Sequence, residues 1–356
     1  MSSELGLSKV EPKSITNILT LRYDPSIKPN LPKKTWNNFK PLVEKPSIEF
    51  IEKLIEKTIQ KQLDISSIKK ICIALSGGID SALVLTLIKK TVPDIQVDAI
   101  SIKFANSVDE TESASKIAAR LEANHHIIYV ENYLRELPKA ISIIKLPFWD
   151  LHWYYVAKKS QSISKYLASG DGGDELFGGY TFRYKKFLSL TNAKSTPLEK
   201  AKAYLLCHER DRVPDQEKLF GKKSKFSWES IYKTLTVYFD NPLSPIEQVF
   251  LADYNGKLLY NFNPINTRIL NHFDMKSISP LLSEEMISCA LGIPLQHKYD
   301  QTKDIGKLAL RKLLSKHNMD KLISHEKLGF NVNTLNLWKS IGQSLCKEFL
   351  MDSHIV

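Results

Sequence analysis

An α/β fold, a doubly wound parallel sheet with a mainly helical C-terminal extension, is predicted by three features of the chain. Short apolar runs alternate with segments of helical period across residues 47–190. Two glycine-rich turns each directly follow one of those apolar runs. From Lys185 onward the strand signals fade and helical periodicity takes over.

The elements follow in order. Residues 1–46 carry Pro12, Pro25, Pro29, Pro32, Pro41 and Pro46, which argues against a long helix and for an extended N-terminal arm wrapped on the body. Ile48, Ile51, Leu54, Ile55 and Ile59 recur at helical spacing, so Ser47–Leu63 is an amphipathic helix with Ser47 as its N-cap. Ile71–Leu75 is the first strand and Ala82–Lys89 a helix. Val97–Phe104 is a second strand, Thr111–Leu121 a helix, His126–Val130 a third strand and Ser164–Ala168 a fourth. Pro245–Leu251, Leu281–Leu291 and Ile305–Lys316 have helical period. Three segments result: the arm (1–46), an α/β core (47–190) and a helical region (191–356).

The two turns carry the chemistry. The first reads Ser76-Gly77-Gly78-Ile79-Asp80-Ser81. The second reads Ser169-Gly170-Asp171-Gly172-Gly173-Asp174-Glu175-Leu176-Phe177-Gly178-Gly179-Tyr180. A strand, a glycine turn and a helix together aim backbone N–H groups and a helix N-terminus at a phosphate. In doubly wound sheets ligands sit at the carboxyl ends of strands, where both turns fall. One Asp in each loop points to a nucleotide triphosphate with Mg²⁺ between them. The bland alternatives are that Asp80 caps its helix, that Asp174 and Glu175 complement a helix dipole, and that Asp171 is a turn residue.

Composition narrows the class. Of 356 residues, 43% are hydrophobic and 25% charged, ordinary for a soluble globular protein. No run of about 18 apolar residues exists, so no membrane span is expected, and no signal pattern opens the chain, which points to the cytoplasm. Cys72, Cys207, Cys289 and Cys346 form no CxxC pair and are read as incidental thiols. Residues 181–235 hold 13 Lys/Arg against 6 Asp/Glu, part of a net charge of +11. With aromatic residues there such as Phe182, Tyr184, Phe187, Tyr204, Phe226 and Trp228 this could be a nucleic-acid surface, but a solvated lysine-rich face is the simpler reading.

Ser76–Ser81 resembles the SGGxDS signature of the PP-loop ATP pyrophosphatases, shared by NAD, GMP and argininosuccinate synthetases and by tRNA-modifying enzymes. The longer second loop resembles the asparagine synthetase branch. Weaker resemblances lie in the same order: Ser101-Ile102-Lys103-Phe104, Asn124-His125-His126, Arg268, Lys307-Leu308-Ala309-Leu310-Arg311 and Lys327-Leu328-Gly329-Phe330. Together they span residues 47–345.

The resemblance implies an adenine nucleotide α-hydrolase-like fold and a two-step reaction. A carboxylate attacks the α-phosphate of ATP to give an acyl-adenylate and pyrophosphate. Ammonia or an amine then gives the amide and AMP. Carried onto this sequence, Asp80 and Asp174 would hold Mg²⁺. Ser76, Gly77, Gly78, Ser81 and Gly170 would cradle phosphates, and Leu75 and Ile102 would hold the adenine. Lys307 and Lys327 would meet the phosphates and the leaving pyrophosphate, and Asp171 would take a proton from the incoming nitrogen.

Three departures from the family qualify this reading, the first for the nitrogen source and the other two for the implied acceptor, aspartate. Ser2 follows Met1 where the glutamine-dependent family has a catalytic cysteine, so ammonia, another amine or a separate glutaminase subunit is expected to supply nitrogen. Pro147–Tyr155 is aromatic, with Trp149, Trp153, Tyr154 and Tyr155 replacing a segment that helps bind the acceptor. Met275–Ser283 stands where the family has LEARVPFLD, without its Glu and Arg and with Lys276 added. The alternatives are a tailoring ligase for a different carboxylate and a tRNA-modifying PP-loop enzyme. A homodimer stays open as an assembly.

Overall fold

The computed structural model describes residues 11–40, 46–63, 68–105, 109–146, 151–209, 212–221, 224–323 and 337–352. The chain opens with α1 (Pro12–Leu21) and α2 (Ile48–Gln62). It then alternates through β1 (Lys70–Ala74), α3 (Ile79–Thr91), β2 (Gln96–Phe104), α4 (Thr111–Arg120), β3 (Asn124–Val130), α5 (Leu137–Ile144), α6 (His152–Gln161), β4 (Tyr166–Ala168) and α7 (Gly173–Phe177). A helical run follows: α8 (Thr181–Leu190), α9 (Pro197–Cys207), α10 (Gln216–Leu219), α11 (Trp228–Thr236) and α12 (Pro245–Asp253). A π-helix, Tyr254–Phe262, leads into α13 (Asn263–His272). The chain closes with β5 (Lys276–Ile278), α14 (Glu284–Leu291), α15 (Leu308–Lys316) and α16 (Gln343–Asp352).

These elements fall into two compact units. One, residues 41–179, 265–300 and 305–356, holds the sheet; the other, residues 1–40, 180–264 and 301–304, is helical.

All five strands are parallel, in the order β3-β2-β1-β4-β5. The chain steps outward from β1 through β2 to β3, then returns to lay β4 and β5 on the other side of β1. The crevice at the carboxyl ends of β1 and β4 is therefore the topological switch point, where such sheets bind ligands. The central strand β1 reads as an unbroken apolar run because both faces are covered: Ile71, Cys72 and Ile73 are fully buried. Helix α3 is apolar all round, with Leu83, Leu85, Leu87 and Ile88 without exposed surface. Each such side chain contributes about 1.5–3 kcal/mol by its burial. Ser47 caps α2 by accepting from the Phe50 N–H at 3.1 Å, as its position before Ile48 predicts.

Four differences from the sequence expectations have physical causes. The arm contains a ten-residue helix, α1, because Pro12 sits in its first turn, where no intrahelical N–H is needed. Strand β3 starts at Asn124, before the expected His126, because Asn124 pairs with Asp98 of β2. Strand β4 is shorter than expected, since Ser164 turns its hydroxyl onto the Lys70 carbonyl at 2.9 Å. The C-terminal half is not only helical: β5 pairs Lys276, Ser277 and Ile278 with Tyr166, Leu167 and Ala168.

In the helical unit the segment 22–34 lies along the π-helix. Tyr254 donates its hydroxyl to the Pro32 carbonyl at 2.9 Å, and Asn255 donates to the Lys34 carbonyl at 2.8 Å. Asn261 donates to the Arg22 carbonyl at 2.7 Å. Gly256 makes room for this packing, since a Cβ there would lie 2.4 Å from the Tyr23 hydroxyl oxygen. Among the described residues no helix is long and apolar enough to cross a membrane.

Candidate active site

The first glycine loop leaves β1 at its carboxyl end. Leu75 is still held in register there: its N–H bonds the Ile100 carbonyl at 2.9 Å, and its carbonyl accepts the Ser101 hydroxyl at 2.6 Å. Ile102 lies on the neighbouring strand β2, and both Leu75 and Ile102 are buried. Gly77 then adopts φ +75°, a left-handed turn that favours glycine. Gly78 is the N-cap of α3, with Asp80 in the first turn. Asp80 therefore does not cap the helix. Ser81 closes the loop on itself: its hydroxyl accepts the Ser76 N–H at 3.3 Å and lies 3.3 Å from the Ser76 hydroxyl.

The second loop leaves β4 and packs its glycines against Asp80. A Cβ on Gly170 would come within 2.6 Å of the Asp80 backbone, and one on Gly173 within 2.4 Å of its carboxylate. Gly172 sits at φ +89°, turning the chain into α7 so that Asp174 lies in its first turn.

Lys307 joins the two loops. It is the N-cap of α15, in a left-handed conformation (φ 57°), and only 5% of its surface is exposed. Its Nζ lies 2.7 Å from Asp174 Oδ1 and pairs with Asp80 Oδ2. Burial alone would lower the Lys307 ammonium, but the facing carboxylates of Asp174 and Asp80 outweigh it and hold the group well above its ordinary range. A lysine merely displayed on a helix surface is excluded. Lys327 lies outside the described residues.

Asp171 sits beside this triad with a polar set of its own. Its Oδ2 accepts the Ser169 hydroxyl at 2.9 Å and the Asn266 side-chain amide. Ser169 Oγ is 3.1 Å from Ser279 Oγ, which is 2.7 Å from Ser277 Oγ. Burial, partly offset by the bonds from Ser169 and Asn266, pushes the Asp171 carboxyl up to about 6. Arg311, one turn into α15, donates to the Gly306 carbonyl at 3.0 Å. Its guanidinium is lowered by burial while Asp80 works in the opposite direction.

Leu75, Ser76, Gly77, Gly78, Asp80, Ser81, Gly170, Asp171, Asp174 and Lys307 thus share the β1/β4 crevice and the two turns that open from it, and Ile102 lines the adjacent strand end. Ser169 opens the second glycine loop, whereas Asn266, Ser279 and Ser277 were not singled out as site residues. Hydroxyls and amides of this kind carry no periodic signal, and they reach the site only because α13 and β5 fold back beside β4. Part of the aromatic segment is not a pocket wall: Tyr154 has no exposed surface and donates its hydroxyl to Glu136 Oε2 at 2.7 Å. Residues 147–150 lie outside the described residues. Lys276 extends over the Tyr166 ring, 5.6 Å from its centroid, and Arg268 donates to the Ile144 carbonyl.

The profile of the asparagine synthase family matches residues 51–355. The chain belongs to the asparagine synthase family. It is similar to asparagine synthetase [glutamine-hydrolyzing] 1 of Bacillus subtilis (strain 168), with 26% identity over 79% of this chain and 50% of that protein. It is also similar to the putative asparagine synthetase [glutamine-hydrolyzing] of Mycobacterium tuberculosis H37Rv, with 26% identity over 76% of this chain and 46% of that protein. The chain thus spans about half the length of these curated relatives. Among solved structures, NMN synthetase from Francisella tularensis aligns with 17% identity and a TM-score of 0.32, covering 60% of this chain and 94% of that one. NH3-dependent NAD synthetase from Campylobacter jejuni aligns with 16% identity and a TM-score of 0.29, covering 56% and 98%.

Proposed function

We propose that this asparagine synthase family member is an ATP-dependent, AMP-forming carboxylate–amine ligase, with aspartate as acceptor and asparagine as product. One observation carries the proposal: two carboxylates from opposite glycine loops converge on a single buried ammonium, Asp80 and Asp174 on Lys307 Nζ, at the switch point of the sheet.

The chemistry asked of these residues is defined. An acceptor carboxylate oxygen bonds to the α-phosphorus of ATP, the bond to the β-phosphate oxygen breaks, and pyrophosphate leaves. The nitrogen of ammonia then bonds to the activated carbonyl carbon and AMP leaves. In that second step the nitrogen must lose a proton. Asp171, with its carboxyl at about 6, is ionised at neutral pH and basic enough to accept it. Lys307, held protonated, balances phosphate charge as the pyrophosphate departs. The N–H groups of the Ser76–Ser81 loop and the N-terminus of α3 favour the same anion.

The donor set fits Mg²⁺. Hard carboxylate oxygens come from Asp80 and Asp174, and Mg²⁺ commonly takes one or two carboxylates and completes its shell with phosphate oxygens and water. Among the described residues no group of three or more His, Cys, Asp or Glu side chains competes as a metal cage. Bound there, the ion would neutralise charge on the leaving pyrophosphate. Nitrogen would arrive as ammonia.

A second acceptor reading is favoured by the hydroxyl set. Ser277 and Ser279, from the segment that lacks the family's Glu and Arg, gather with Asn266 near Asp171, which supports a tailoring ligase for another carboxylate. A tRNA-modifying role draws no such support. Several cations of the basic region rest on aromatic rings of their own unit, Arg183 over Tyr180 at 4.3 Å, Arg212 over Trp228 at 5.3 Å and Lys202 over Tyr232 at 5.4 Å.

The test is pyrophosphate release with Mg-ATP and ammonium, with and without aspartate. Aspartate-dependent release with asparagine and AMP formed supports the proposal. Release that needs a different carboxylate moves the acceptor to the second reading, and no release with any carboxylate refutes ligase chemistry.

A further inference from the structure

Glu52 is a charged residue on the buried face of α2, with about 2% of its surface exposed. Two lysines and a histidine meet its carboxylate. Lys90 Nζ is 2.5 Å from Oε1, His317 Nε2 is 2.7 Å from Oε1 and Lys316 Nζ is 2.6 Å from Oε2. Burial would raise this carboxyl, but Lys316, Lys90 and His317 together pull it down to about 2. Two further carboxylates flank the cluster on the same helix: Glu56 lies 2.8 Å from Lys90, and Glu49 lies 3.6 Å from Lys316.

The placement of the three partners gives the cluster its meaning. Lys90 is in the last turn of α3, whose first turn carries Asp80. Lys316 is the last residue of α15 and His317 its C-cap, while Lys307 is the N-cap of that helix. Helices α3 and α15 pack on each other, and both pack on α2. Each therefore starts at the candidate active site and ends at Glu52, about 14–15 Å away at 1.5 Å rise per residue. Lysines and a histidine at these helix ends also complement the C-terminal dipoles.

We infer that Glu52 is a positioning residue: one buried carboxylate ties the far ends of α3 and α15 together and so sets the spacing of Asp80 and Lys307 at their near ends. The inference rests on the proposed role of those two residues in handling Mg-ATP, but the spacing itself can be measured without any activity. A rigid helix carries a shift at one end to the other, and the Asp80–Lys307 ion pair leaves little slack. Removing the shared anchor lets the two helices slide independently.

The experiment compares Glu52→Gln, Lys90→Met, Lys316→Met and Glu49→Gln by hydrogen exchange of the unliganded protein, together with Mg-ATP binding by titration. Glu52→Gln keeps the shape and removes the charge. Its amides at 76–82 and at 306–311 should exchange about tenfold faster, with weaker Mg-ATP binding. Lys90→Met should loosen mainly 76–82, and Lys316→Met mainly 306–311. Glu49→Gln, at the solvent edge of the network, should leave both near ends as in wild type. Lys316→Met cuts an exposed side chain, so it reads out the α15 end even if Glu52→Gln fails to fold. Faster exchange confined to the residues around 49–56, 88–91 and 314–317 would mean a local structural role and overturn the inference. Near-end loosening in a wild-type background that binds no Mg-ATP would uphold the positioning role and refute the ATP reading instead.

Discussion

Asp171 offers a perturbation whose size can be worked from the structure. Its carboxyl is raised from an ordinary 3.8 to about 6, mainly by burial. Between those values the native state holds a proton that the unfolded chain has released. Stability therefore falls as pH rises through this window and is flat above it. At 1.36 kcal/mol per pH unit the gap is worth about 3 kcal/mol. Asp171 keeps part of its surface in water, so screening removes roughly half and leaves about 1.5 kcal/mol. Asp171→Asn keeps the shape and an oxygen to accept from Ser169 and Asn266, but it has no proton to release. The variant should gain about 1.5 kcal/mol on wild type between pH 4 and pH 7. Urea midpoints at several pH values, with unchanged slope, measure this directly. The same variant should lose turnover while Mg-ATP binding is kept. A stability difference that is independent of pH, or that runs the other way, refutes the account of Asp171 as a buried carboxylate poised to take a proton.

Other outcomes follow from the same geometry. Gly173→Ala places a Cβ 2.4 Å from the Asp80 carboxylate, and Gly170→Ala meets unyielding Asp80 backbone at 2.6 Å. Both should abolish Mg-ATP-dependent turnover, with Gly170→Ala also costing about 1–3 kcal/mol of stability in a thermal melt. Lys307→Met leaves two carboxylates facing each other, 17% and 23% exposed. A broken buried pair costs about 3–5 kcal/mol, and partial exposure brings this to about 2. Millimolar Mg²⁺ should return part of the lost melting temperature, and an unchanged melt without Mg²⁺ would contradict the pairing. Asp253→Asn in the helical unit removes the charge of the group that accepts the Tyr204 hydroxyl at 2.7 Å, while keeping an oxygen there. Burial would raise the Asp253 carboxyl, but His208, Arg183 and Lys257 hold it below its ordinary value. Its contribution to stability is present above the ordinary carboxylate range and lost as pH falls through the depressed value, so the variant should lack that acid-side loss.

Much of the site was legible because its chemistry is local. A glycine turn between an apolar strand and a helix fixes Gly77, Gly78, Asp80 and Ser81 within six residues, and Gly170–Asp174 repeats the pattern. The parallel sheet was legible for the same reason, since the apolar residues of β1 and β2 alternate with segments of helical period. Lys307 could be placed only through its resemblance to a family helix, because it meets Asp80 across 227 positions of sequence. Strand β5 has three residues and one buried side chain, too short for an alternation to register. With β5 hidden, Ser277 and Ser279 had no reason to be drawn toward Asp171. Glu52 was hidden differently: its sequence position looks like the polar face of an amphipathic helix, and only the arrival of Lys90, Lys316 and His317 makes a buried carboxylate tolerable there.

The measurement that bears most directly on the central claim is Mg-ATP binding by calorimetric titration to wild type and to Asp80→Ala. If Asp80, Asp174 and Lys307 form the triphosphate site, wild type binds Mg-ATP and Asp80→Ala loses at least about tenfold, equivalent to 1.4 kcal/mol, while remaining folded. Binding by Asp80→Ala as tight as that of wild type would contradict the claim.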